Sequence, residues 1–148
     1  MGSIDGVIFT PLTKVPVPDG DVFHGMKVTD PGYAGFGEAY FSTIISGAIK
    51  SWKRHLRMTL NLIVISGKVR FVVHDDRTES PTNGLSVAYD LEFPGQYARL
   101  TIPPNLWMAF QGRALGPSVL LNLASIPHDP DEAKRKNLDE IAFDWSQK

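Results

Sequence analysis

Lys50, Lys53, Arg54, His55 and Arg57 fall within eight residues of one another, with Trp52 among them. Cations at this density suit phosphate oxygens, which they hold through charge-assisted hydrogen bonds. An imidazole beside them titrates near neutrality without help. One reading is an anion site that contains a general base. The other is a solvated basic edge strand that resists pairing. A second polar group lies upstream in Gly37–Ser42, which reads GEAYFS. Period-two alternation puts Glu38, Tyr40 and Ser42 on one face, with Ala39 and Phe41 on the other. That face either offers a carboxylate, a phenol and a hydroxyl to a ligand, or is wet and idle. Asn122 interrupts the apolar run Ser118–Ala124 and calls for a partner or a cavity.

These groups sit on short β-rich runs. Leu60 to Ile65 is apolar apart from Asn61 and reads as a central strand buried on both faces. Ser66-Gly67 follows, then Val69, Phe71 and Val73 alternate with Lys68, Arg70 and Val72. Two β-rich runs split by a glycine predict a hairpin. Further strands are expected at Ile4–Val17, Val22–Thr29, Ile49–Arg57, Leu85–Phe93, Ala98–Ile102, Trp107–Phe110 and Ser118–Ala124. Only the tail reads as helical. Asp129-Pro130-Asp131-Glu132 offers an N-cap, a first-turn proline and a capping-box glutamate, and Lys134, Arg135 and Lys136 suit a helix C-terminus.

With 148 residues the chain suits a single domain over 1–148 with a real core. Its 15 Lys and Arg nearly cancel 16 Asp and Glu, so nucleic acid is not the expected partner. No apolar run approaches the ~18 residues of a membrane span. The absence of cysteine excludes disulfides and thiolate metal sites. With no charged-then-apolar leader, a cytoplasmic protein is expected.

Short strands joined by turns argue for a sandwich or small barrel. Two spacings narrow this to a jelly roll. Metal-binding cupins carry Gly, five residues, His-x-His, four residues, Glu, six residues, Gly. Gly47 and Gly67 fit the ends of that spacing, and its ligand positions fall on Lys53, His55 and Leu60. The segment Pro103-Pro104-Asn105-Leu106-Trp107-Met108 resembles the second cupin motif, with Met108 at the last ligand position. One metal ligand of four remains, so no metal and no other cofactor is expected.

A further stretch is more specific. Asp75-x-Arg77-x-x-Ser80-Pro81-Thr82-x-Gly84 resembles a segment of the dTDP-4-dehydrorhamnose 3,5-epimerases. Ala48-Ile49-Lys50-Ser51-Trp52-Lys53 is similar to their Val-Leu-Arg-Gly-Leu-His strand, and Ile102 to Met108 to their Ile-Pro-x-Gly-Phe-x-His. The resemblance implies an all-β fold, a double-stranded β-helix of the cupin type, here with a short C-terminal helix. It also implies proton abstraction next to the 4-keto group of a 6-deoxy nucleotide sugar, in surface-polysaccharide biosynthesis. The ligand is then a nucleotide sugar, and the protein a homodimer whose N-terminal strand, Ile4 to Phe9, crosses to the neighbour.

In the resemblance, Lys53 stands where the epimerases have the base histidine. Lys50 keeps the charge of an arginine that holds the keto oxygen, and Leu60 replaces a lysine. No tyrosine lies near Ile126, where the acid falls, and His128 is two residues away. The catalytic candidates are therefore His55 or Lys53 as base and Tyr40 or His128 as acid. Glu38, Lys50, Trp52, Arg54, Arg77, Asn122 and His128 are candidates for binding the substrate, with Trp52, Arg54 and Arg77 at the mouth or a subunit contact. Two other functions compete. One is a sugar- or nucleotide-binding module that has lost its base and acid. The other is a metal-dependent cupin, for which His24, His74 and His128 offer only an unrelated ligand arrangement.

Overall fold

A computed structural model describes residues 2–148. The strands run β1 (Ile8–Pro11), β2 (Lys14–Val15), β3 (Val22–Phe23), β4 (Glu38–Ile44), β5 (Ile49–His55), β6 (Leu60–His74), β7 (Ser86–Phe93), β8 (Ala98–Ile102), β9 (Trp107–Gly112), β10 (Ser118–Ala124) and β11 (Ala133–Arg135). All pairings are antiparallel. Apart from the separate β2–β3 pair, they form two sheets that share β6: its first half pairs with β8 and β10, its second half with β7 and β9. Strand β1 extends the first sheet beside β8, and β4 extends it beside β10. In the second sheet β5 pairs with β9, and β11 closes the edge. This is a jelly-roll sandwich, the expected fold class.

The expected hairpin at Ser66-Gly67 does not form. The chain runs through as one strand of 15 residues. Gly67 has φ +86°, and a Cβ there would lie 2.8 Å from the Ser118 Cβ. The bulge changes which side chains face inward. Leu60, Leu62 and Val64 point into the main core before it, and Val69, Phe71 and Val73 after it. One strand thereby serves both sheets. Ile63 and Arg99, on the outward side, are still buried because the 24–31 loop lies over them. Only Val22–Phe23 of the expected second strand is β.

The expected C-terminal helix is absent. Pro130–Glu132 is a single 3-10 turn capped by Asp129, Ala133–Arg135 is strand β11, and Leu138–Glu140 is a second 3-10 turn. The capping signals are real but end after one turn, because the following residues pair with β5. The tail then crosses the outer face of the second sheet. Ile141, Leu138, Phe143 and Trp145 pack there on Trp52, Val72, Trp107 and Ala109 as a second apolar cluster. The N-terminal segment packs on its own chain in the single chain described. Ile4 is 1% exposed, its amide donates to the Tyr89 hydroxyl, and β1 pairs with β8 of the same chain. Among the described residues no helix is long and apolar enough to cross a membrane.

Candidate active site

A cavity of about 710 Å³ opens between the two sheets. Strand β5 brings Lys50, Lys53 and His55 to it, β4 brings Tyr40 and Ser42, β6 brings Leu60 and Leu62, β9 Met108 and Phe110, and β10 Asn122. The four positions of the cupin ligand spacing, Lys53, His55, Leu60 and Met108, all line this hollow. The β5–β9 register slips between Lys50 and Lys53. That irregularity lets residues of opposite parity on β5 reach the same cavity.

His55 is 8% exposed, and its Nδ1 meets a carboxylate oxygen of Glu132. The other oxygen of Glu132 accepts from the amides of Leu56 at 3.1 Å, Arg57 at 3.0 Å and Met58 at 3.2 Å. Three consecutive amides make an anion cradle that offsets burial of the carboxylate. Burial pushes the Glu132 carboxyl up, but the His55 ring and these amides outweigh it and leave it below its usual range. An ionised carboxylate only accepts, so the shared proton belongs on Nδ1 and the lone pair on Nε2. That nitrogen has no hydrogen-bond partner among the described residues. Burial lowers the pKa of His55, against the opposing pull of Glu132 and with the help of Lys53. The ring is thus neutral, oriented and able to take a proton.

Lys53 is half-buried, and its ammonium makes no hydrogen bond or ion pair among the described residues. Burial, and then the Arg135 charge, lower its pKa. Across the cavity, the Tyr40 hydroxyl accepts from Asn122 Nδ2 at 2.9 Å, and Asn122 Oδ1 accepts from the Asn61 amide at 3.0 Å. Asn122 therefore has the partner its sequence context demands, and it fixes the phenol. Lys50 lines the cavity with its Nζ donating to the Thr43 carbonyl at 2.7 Å, over the Phe110 ring.

The other candidates lie elsewhere. Trp52 borders the cavity, but its indole turns away into the outer cluster and donates to the Leu138 carbonyl at 3.1 Å. Arg54 stacks on Trp107 and pairs with Asp76, outside the cavity. Arg77 is spent on Asp75 and on the Asp5 carbonyl, tying the Ser80-Pro81-Thr82 loop to the N-terminal segment. Glu38 accepts from the His128 backbone amide at 2.9 Å, and neither residue is among those that line the cavity. The sequence pattern did not point to Glu132, Arg135, Asn137 or Glu140. The first holds His55, and the other three line the cavity. The only sequence signal at Glu132 and Arg135 was the helix pattern of 129–136.

No family model matches the chain. Among curated proteins, a probable low-salt glycan biosynthesis epimerase of Haloferax volcanii is 29% identical over 100 residues. That match covers 65% of this chain and 64% of the relative, so it spans less than two thirds of the relative's length. Among solved structures, a dTDP sugar isomerase of Desulfovibrio desulfuricans superposes with a TM-score of 0.91 at 34% identity, over 97% of this chain and 92% of that one. A dTDP-6-deoxy-D-glucose-3,5-epimerase of Legionella pneumophila, in complex with dTDP-4-keto-L-rhamnose, gives a TM-score of 0.82 at 18% identity, over 98% and 81% of the two chains. The latter likeness is one of fold. An identity of 34% across nearly the whole of both chains is one of descent, and it places this protein in the family of that dTDP sugar isomerase.

Proposed function

We propose that the chain is an epimerase or isomerase of a 4-keto-6-deoxy nucleotide sugar, acting by proton abstraction next to the keto group in surface-polysaccharide biosynthesis. The observation that carries this is the His55–Glu132 pair, with its free Nε2 in a cavity that also holds an unpaired lysine. Nε2 removes the proton on the carbon beside the keto group. The electron pair moves to the keto oxygen, and the Lys53 ammonium stabilises the enolate. Tyr40, fixed by Asn122 on the opposite sheet, returns a proton from the other face. The base thus falls on His55, two residues beyond the epimerase position, and Lys53 takes the electrophilic role. The relatives named above, a dTDP sugar isomerase and a glycan biosynthesis epimerase, support the reading.

The test is incubation with a panel of 4-keto-6-deoxy nucleotide sugars in heavy water, read by mass. The expected result is deuterium incorporation by the wild-type chain and none by His55→Ala. Binding without incorporation would leave a sugar-binding module instead. On the same reading residues 1–148 act as one cytoplasmic domain and associate as a homodimer. Support for the dimer is the apolar surface around β4, where Phe36, Phe41 and Ile45 are exposed. Light scattering on the wild-type chain and on Phe41→Glu checks it, with a monomeric wild type counting against it.

A further inference from the structure

Lys53 on β5 and Arg135 on β11 stand opposite each other in register, and both line the cavity. Like charges directly opposite on a sheet repel. Neither side chain has a hydrogen bond or ion pair among the described residues to relieve this. Lys53 is also half-buried. Burial first, and the Arg135 charge second, lower its pKa, while Glu132 pulls the other way. That carboxylate is already bound to His55 and three amides. A desolvated lysine beside another cation is the arrangement that frees an amine for attack on a carbonyl carbon. On the sugar reading this nitrogen acts only as an ammonium, and its free amine has no task.

The surroundings say what the amine would take. Arg135 offers a planar fork that fits a carboxylate. It sits across from Lys53, so a carboxylate held there brings an adjoining carbonyl carbon to the amine. The cavity wall beyond is apolar, made of Leu60, Leu62, Met108, Phe110 and Leu120. We propose that Lys53 forms an imine with a 2-oxo acid of apolar side chain, its carboxylate on Arg135, and that His55 then removes a proton from C3. Lys53 Nζ attacks C2, and a C–N bond forms as the carbonyl π pair moves to oxygen. A proton passes through water from that nitrogen to the oxygen. A second proton from water lets the oxygen leave as water, and the nitrogen pair closes the iminium. His55 Nε2, which has no partner among the described residues, then takes a proton from C3. The C–H pair becomes the enamine double bond, and the iminium π pair returns to nitrogen. Reprotonation at C3 and hydrolysis reverse these steps, so the net result is proton exchange at C3. This activity goes beyond the nucleotide-sugar reading and does not depend on it.

The experiment incubates the full chain with 4-methyl-2-oxopentanoate and cyanoborohydride, which reduces an imine to a stable secondary amine, and maps the adduct by peptide mass. Saturable labelling of Lys53 is expected, about tenfold or more faster than at the exposed Lys14 and Lys134. The matched ketone, 4-methyl-2-pentanone, should label Lys53 about tenfold or more slowly than the acid does. Arg135→Gln should lose that preference. Arg135 is exposed, so the variant does not threaten the fold. In heavy water without reductant the wild-type chain should place deuterium at C3 of the acid. His55→Ala should still be trapped at Lys53 but leave C3 unexchanged. Labelling spread evenly over the lysines overturns the proposal. So does equal labelling of the wild type by acid and ketone, or a Lys53 adduct with no exchange at C3. Trapping of the oxo acid and exchange into a nucleotide sugar are separate readouts, so either reading can fall while the other stands.

Discussion

Glu132 meets the Nδ1 edge of the His55 ring across 77 residues of sequence, and its far oxygen sits in a cradle of three amides. The carboxylate cannot rotate away, so the ring cannot turn. Glu132→Gln places an amide NH₂ or carbonyl against Nδ1. Either the tautomer reverses and Nε2 loses its lone pair, or the cradle loses its acceptor. The expected result is a fall in kcat of about 10²-fold or more with a smaller change in KM. Removing the carboxylate also removes what holds the His55 pKa up, so any residual activity should show its acid limb at lower pH than wild type. A pH profile of kcat/KM checks this, and an unmoved acid limb would break the link.

Acid sensitivity follows from the same pair. His55 and Glu132 both have pKa values below their ordinary 6.5 and 4.5 in the folded chain. Each group favours its deprotonated form in the fold, so the unfolded chain binds more protons between the folded and ordinary values. Their contribution is complete above 6.5 and is lost as pH falls through the lowered value of His55 and then that of Glu132. Urea midpoints should therefore drop steadily from pH 7 toward pH 4. Glu132→Gln should flatten the lower part of that drop, as measured by unfolding at a series of pH values.

Lys53→Met removes the cation beside the base while keeping the apolar stem. Loss of a single group that stabilises developing negative charge costs about 10²–10³-fold in kcat. The stability of the variant should match or exceed wild type, because a half-buried charge opposite Arg135 is removed. Steady-state kinetics beside thermal unfolding checks both halves.

Gly67→Ala tests the shared strand. A side chain at φ +86° is strained, and its Cβ would press on Ser118. The Ser118 hydroxyl itself ties the two sheets by accepting from Lys68 N at 3.0 Å and donating to the Lys68 carbonyl at 3.1 Å. A loss of about 2–4 kcal/mol is expected, measured by urea unfolding.

Asp75→Asn should loosen the N-terminal segment. Asp75 is fully buried and accepts from Arg77, Ser80 and Thr82, and the Arg77 guanidinium holds its carboxyl well below the usual carboxylate range. Arg77 in turn donates to the Asp5 carbonyl at 2.7 Å, and the Asp5 amide donates to Thr82 at 3.0 Å. Breaking the buried pair costs about 3 kcal/mol. Limited proteolysis should then cut before β1 sooner than in wild type, with little change in the cavity.

The sequence alone determined the bounds of two strands. Ala98–Ile102 and Ser118–Ala124 begin and end where the pattern put them, and the Glu38, Tyr40, Ser42 face is the inward one. It also marked part of the cavity wall, because Lys50, Lys53, His55 and Asn122 are polar residues in β-rich runs, and all four line the cavity. It could not tell Asp75-x-Arg77 as a structural knot from a ligand site, since both need the same residue types. Only the tertiary structure decided the rest. Ser66-Gly67 has the chemistry of a turn, yet pairing on both sides pulls it straight through as a bulge. The tail has the caps of a helix, yet the unpaired edge of β5 takes Ala133–Arg135 as a strand. Long-range hydrogen bonds outweigh local propensity in both places, and the second places Glu132 against His55. Local sequence holds no trace of that contact, because nothing short of the closed sheet brings the two residues together.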